Sequence, residues 1–167
     1  MKKVILVMFA ASLLWVGHSF AAEMKIGYVD IKTSMENTKA YALGIKRVEA
    51  LQNKKKKKLE VMRQRVSDLD KELQMQSMAM SSERQVEKEQ EFTRLKKEFD
   101  RELQDATDEL KREKRQLDQT MFGKFYDAVR SYGKNNKFDM ILPKSATIYA
   151  SSEYDITADI TKILDQK

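Results

Sequence analysis

Residues 41–73 read YALGIKRVEALQNKKKKKLEVMRQRVSDLDKEL, and their spacing decides the fold. Tyr41, Ile45, Val48, Leu59, Met62, Val66, Leu69 and Leu73 fall on one series of alternating steps of three and four. Two places within that series hold Gln52 and Lys55. Such steps gather apolar side chains into one stripe of a helix, so the stretch predicts a coiled-coil helix with a polar gap in its seam. A helix of this kind needs a partner, because most helix stability comes from burying an apolar face.

The partner comes from the residues that follow. From Gln74 to Ser82 the chain reads QMQSMAMSS, without a single charge. Ser82 followed by Gln85 matches a capping box, which marks a new helix start. The stretch 74–82 therefore predicts the tip of an antiparallel helical hairpin. The second arm carries Phe92, Leu95, Phe99, Leu103, Ala106, Leu110, Leu117 and Met121 as its apolar series. Phe92 to Leu103 is a step of eleven residues, a spacing that relaxes a left-handed supercoil. The arms should be long, nearly straight and loosely wound, each roughly 50 Å at 1.5 Å per residue. Gly133, beside Lys134, predicts the end of the second arm.

The two ends of the chain differ from the middle. Lys25 to Asp30 alternates and is β-rich, which predicts a strand. Thr33 with Glu36 matches a capping box and predicts the helix start. Lys137–Leu142 and Thr147–Ser151 predict two further strands around Pro143-Lys144-Ser145. Asp155 can cap a last helix whose apolar face is Ile156, Ile160, Ile163 and Leu164. The fold class is thus mostly α with a small β body. Residues 44–123 form the hairpin, and residues 22–43 with 124–167 form the body. So small a body buries too little apolar surface to be secure alone. A homo-oligomer assembled through the body is the expected remedy, with Ile26, Val29, Ile141 and Ile148 as candidate contacts.

The first residues bear on compartment. Lys2 and Lys3 precede an apolar run from Val4 to Val16, and Ser19-Phe20-Ala21 offers small residues before a cut. That order of parts predicts a secretory signal peptide over 1–21, cleaved near Ala21. The run is short of the roughly 20 residues a spanning helix needs. His18 and Trp15 are the chain's only His and Trp, and the chain has no Cys. Removing 1–21 therefore leaves no His–Ser or His–Cys pair for nucleophilic catalysis. The usual zinc ligands are missing too, as is the Gly-rich loop that cradles phosphates. Carboxylates alone form no catalytic signature here. The chain reads as non-enzymatic and free of cofactors.

Two features could carry function. Between Gly44 and Arg65 nine basic residues face two acidic ones, a charge of +7. The run Lys54, Lys55, Lys56, Lys57 and Lys58 lies at its centre. It is either a solvated face or an attractor of acidic proteins, anionic lipid or lipopolysaccharide. Nucleic acid is disfavoured by export and by the lack of clustered aromatics. The second feature is methionine. Met75, Met78 and Met80 crowd the tip, and Met62 lies on the seam. Methionine is flexible and suits surfaces that accept varied apolar partners, although it could equally cap the hairpin core. Phe92, Phe99, Phe122 and Phe125 read as core and subunit contacts.

Both ends also resemble a known family. Residues 25–32, KIGYVDIK, are similar to the start of the Skp/OmpH family. Residues 138–151, FDMILPKSATIYAS, and Tyr154-Asp155-Ile156-Thr157 are similar to its end. The resemblance implies a trimer, with a β body and three helical tentacles around a cavity. It implies ATP-independent holding of unfolded outer-membrane proteins in the periplasm. No client-contacting residue is carried over from the family. The candidates read from this sequence are Met75, Met78 and Met80 at the tip, with Met62, Val66 and Leu69 on the first arm. The runner-up reading is a coiled-coil tether between envelope components. A lipid carrier would need a larger apolar pocket than the small body offers.

Overall fold

The computed structural model describes residues 24–76 and 80–166. The segment 1–21 and its cut lie outside the described residues, as does Met78. Strand β1 spans Ile26–Val29. A short helix α1, Ile31–Glu36, follows. Two long helices come next, α2 over Lys39–Gln76 and α3 over Ser82–Asn135. Strand β2 takes Met140–Pro143 and helix α4 takes Thr157–Gln166. No helix among the described residues is long and apolar enough to cross a membrane.

Helices α2 and α3 pair as the hairpin that the spacing predicts. Their ends differ in detail from the expectations. Asp30, not Thr33, caps α1, because its carboxylate accepts the Thr33 N–H at 3.0 Å. The chain then breaks at Asn37–Thr38 before α2 begins. Thr38 is buried and caps α2: its Oγ1 accepts the Tyr41 N–H at 3.1 Å and donates to the Met35 carbonyl at 2.7 Å. Asp165 closes the same helix end from the far terminus, accepting the Lys39 N–H at 2.8 Å. At the tip Ser81, one residue before the expected start, caps α3.

Helix α3 does not stop at Gly133 but runs two residues further. Lys137 adopts a left-handed backbone, φ 55°, and the Phe138 N–H reaches back to the Gly133 carbonyl at 2.9 Å. This is the usual αL helix stop, with lysine where glycine is the common choice.

The sheet corrects the expected arrangement of strands. β2 does not form a hairpin with its successor. It pairs in parallel with β1, in the register Ile26–Met140 to Val29–Pro143. The connection between them is the whole helical hairpin. Thr147–Ser151, expected as a strand, is irregular chain with a bend at Ile148, between two 3-10 turns, Lys144–Ala146 and Ser152–Tyr154. Its residues suit a strand, but the two-stranded sheet offers it no ladder; among the described residues the isolated bridge nearby is Tyr28 with Asp155.

The core gathers at one end. Val29, Met35, Tyr41, Met121, Phe125, Ala128, Ile156, Ile160 and Leu164 form one buried cluster where the hairpin base meets β1, α1 and α4. Burying a large aliphatic or aromatic side chain contributes about 1.5–3 kcal/mol. An exposed ion pair on the arms gives about 0–1 kcal/mol. The base therefore anchors the fold, and the arms extend from it.

Candidate functional site

Along the arms, the predicted seam is the sheltered side of α2. Tyr41 and Leu69 are buried, and Ile45, Val48, Leu59, Met62, Val66 and Leu73 are half-buried. Near the base Gly44 faces α3, and the side chain of Leu117 overlies it. Beside it the Tyr41 hydroxyl donates to Asp118 Oδ1 at 3.2 Å, and Lys114 Nζ lies 2.8 Å from the same hydroxyl. Burial works against the Lys114 charge, but Asp118 and Tyr41 outweigh it and raise its pKa.

The polar gap of the seam turns out to be an ionic layer. Lys55 crosses to Glu109 at 2.7 Å and to Glu102 Oε1 at 3.5 Å, while Lys58 reaches Glu102 Oε2 at 2.6 Å. The Glu102 side chain is only 16% exposed. The bonds from Lys58 hold its carboxyl below the ordinary range, and those from Lys55 do the same for Glu109. Glu109 in turn raises the Lys55 pKa. Sequence reasoning found Lys55 in the seam but missed its partners. The available signal was the seven-residue spacing of Glu102 and Glu109, which places two acids on one face of α3.

The lysine run thus divides. Lys55 and Lys58 are spent within the hairpin, whereas Lys54, Lys56 and Lys57 are exposed and make no ion pair among the described residues. The candidate client contacts divide as well. Met75 is 77% exposed and Met80 is half-buried at the tip. Met62 and Val66 are half-buried along the seam, and Leu69 is enclosed by it. Leu103, from the series expected to face α2, is 45% exposed on the arm's flank.

Around the sheet the four candidate contacts also separate. Val29 belongs to the chain's own core, and Ile141 packs against that core near Gly133. Ile26 is partly exposed and Ile148 is fully so. They are joined by Met24, Met140, Tyr149 and Tyr154, exposed apolar residues that the sequence reading passed over. Several of these line an apolar groove between β1 and the 147–154 segment. No cluster of metal-ligating side chains occurs among the described residues.

Comparisons with known proteins agree with this geometry. The chain's fold is similar to that of a candidate outer membrane chaperone (OmpH-like) from Caulobacter crescentus. The TM-score is 0.76 at 14% identity, covering 87% of this chain and 86% of that one. A likeness at that identity speaks to fold alone. No curated protein matches at a significant level. The family model described as "Outer membrane protein (OmpH-like)" matches residues 25–164. That match runs from the first strand to the last helix, and on it this chain belongs to the OmpH-like family.

Proposed function

We propose that the protein is an exported, non-enzymatic holding chaperone of the periplasm. It binds unfolded outer-membrane proteins without ATP and keeps them from aggregating. The observation that carries this reading is the separation of roles along the chain: one core at the base, and long charged arms that bury little beyond their own seam. Arms of this form enclose a client better than they dock one fixed partner. Unfolded barrel strands expose alternating apolar residues and open edges, and enclosure prevents those edges from meeting.

The working unit is a homo-oligomer, a trimer by family resemblance. Its assembly covers Ile26, Ile148 and their exposed neighbours and gives the 147–151 segment an edge to pair with. Several arms around one client raise the effective concentration of each further contact. The tip methionines Met75, Met78 and Met80 supply adaptable apolar contacts. Lys54, Lys56 and Lys57 steer acidic clients and form the surface available to anionic lipid.

The deciding experiment is native mass measurement of the mature protein with and without a urea-denatured barrel protein, beside a light-scattering aggregation assay. A trimer that takes up one client and suppresses scattering supports the proposal. A monomer, or scattering identical to the client alone, rejects it. Capture at about 20 mM salt should be faster than at about 500 mM, since exposed charge is screened at the higher value. Replacing Lys54, Lys56 and Lys57 with Gln should remove that difference.

A further inference from the structure

Beside the ionic layer the hairpin carries an open groove of about 320 Å³. Its floor is Leu59 from α2 with Phe99, Leu103, Ala106 and Leu110 from α3. The groove exists because two seam positions fail to fill it. Ala106 is buried but short, and Lys55 turns its head toward Glu109. Lys56 and Arg63 stand on the rim, exposed and without an ion pair among the described residues. One acid, Glu60, lies between them.

We infer that this mid-arm groove takes an apolar side chain of an extended polypeptide that carries carboxylates on either side of it. The inference rests on the chaperone reading and specifies where on the arm such a client is held. Its volume is at the low end of ligand sites, about 300–1,000 Å³, which admits one or two side chains and no folded surface. Lys56 and Arg63 are seven residues apart on a helix, so they lie about 10 Å apart along its axis. An extended chain rises about 3.3 Å per residue and turns every second side chain to one face, so carboxylates four residues apart, about 13 Å, lie within reach of the long Lys and Arg side chains while the residue midway between them faces the groove. A single-headed amphiphile could meet only one of the two cations. The groove thus favours a peptide over a fatty acid.

The test uses the full mature protein and a short fluorescent peptide, with Asp residues four apart and a Leu or Phe midway between them. A charge-reversed peptide with Lys for Asp and a dodecanoate competitor complete the set. Leu103→Asp should weaken the acidic peptide about tenfold or more, the size expected for losing one buried Leu contact. Val61→Asp, the same change at a more exposed position off the groove, should leave binding as in the wild type. The charge-reversed peptide should bind far more weakly than the acidic one. Wild-type affinity in Leu103→Asp, or equal affinity for both peptides, overturns the proposal. Dodecanoate binding without peptide binding overturns it as well, in favour of an amphiphile. Should Leu103→Asp lower the melting temperature, Lys56→Gln with Arg63→Gln carries the same test, since both side chains are exposed. The aggregation assay run in parallel separates the two readings. Wild type that fails to suppress aggregation removes the chaperone reading. Suppression with a groove variant that binds the peptide normally removes the groove alone.

Discussion

Gly44 and Leu117 meet so closely that a Cβ on residue 44 would lie 2.4 Å from a Leu117 methyl. Contacts that short do not survive, so the helices must part or Leu117 must leave its rotamer. Overpacking of this kind typically costs about 1–3 kcal/mol, against a helix-propensity gain of about 1 kcal/mol for Gly to Ala. Gly44→Ala should therefore destabilise the protein, read as a lower urea midpoint. Adding Leu117→Ala should recover part of the loss. Gly123 has nothing within 4 Å of its added Cβ, and there Gly→Ala should stabilise by roughly 0.5–1 kcal/mol. If both glycines respond alike, close helix approach at Gly44 is not the cause.

Lys137 holds a left-handed backbone that costs an L-residue about 1–2 kcal/mol relative to glycine. Lys137→Gly should raise the thermal midpoint, because the side chain is exposed and its loss removes no packing. An unchanged or lowered midpoint would show that the stop is not strained.

Acid should weaken the ionic layer of the arms. Glu102 and Glu109 are held below the ordinary carboxylate range by Lys58 and Lys55. A carboxyl depressed in this way stabilises the fold above its unfolded value, about 4.3 for Glu, and the contribution fades as pH falls through the lower folded value. Stability should be flat near neutrality and drop below about pH 4. Glu102→Gln with Glu109→Gln should be less stable than wild type at pH 7 and show a shallower acid limb. Titration of the urea midpoint against pH reads both; parallel curves for the two proteins would dismiss the ionic layer.

Ile148→Asp should separate folding from assembly. The side chain is fully exposed in the protomer, so helix content by circular dichroism should not change. An unpaired charge buried at an interface costs several kcal/mol, so the oligomer should fall apart at micromolar concentration. An assembly mass equal to wild type would place the interface elsewhere.

Much of this structure could be read from residues alone, and the limits of that reading have one physical origin. The hairpin was legible because its signals are local: the three-four spacing from Tyr41 to Leu73, and the uncharged stretch at the turn. β1 and α4 were legible from short periodic runs. What stayed hidden depends on residues far apart in sequence. Asp165 closing the α2 start acts over 126 residues, and Lys55 finds Glu109 only once the tip fixes the register of the arms. The 147–151 segment has the composition of a strand, yet strand formation needs a neighbouring edge that this protomer does not supply. The Thr33–Glu36 pattern misled because Asp30, three residues upstream of Thr33, competes for the same N–H.

The parallel pairing of β1 with β2 also fixes an order of events. The two strands are separated by the entire hairpin, and the Asp30 N–H finds its acceptor, Thr157 Oγ1, only when the last helix is present. As the chain emerges from its amino end, the arms can zip through contacts between helices joined at the tip, while β1 waits. Long-range pairing of this kind is slow, because a long loop must close before any contact rewards it. The base is completed last. The proposed assembly through the base therefore waits for a finished protomer, and a truncated chain lacking α4 has no completed base to offer it.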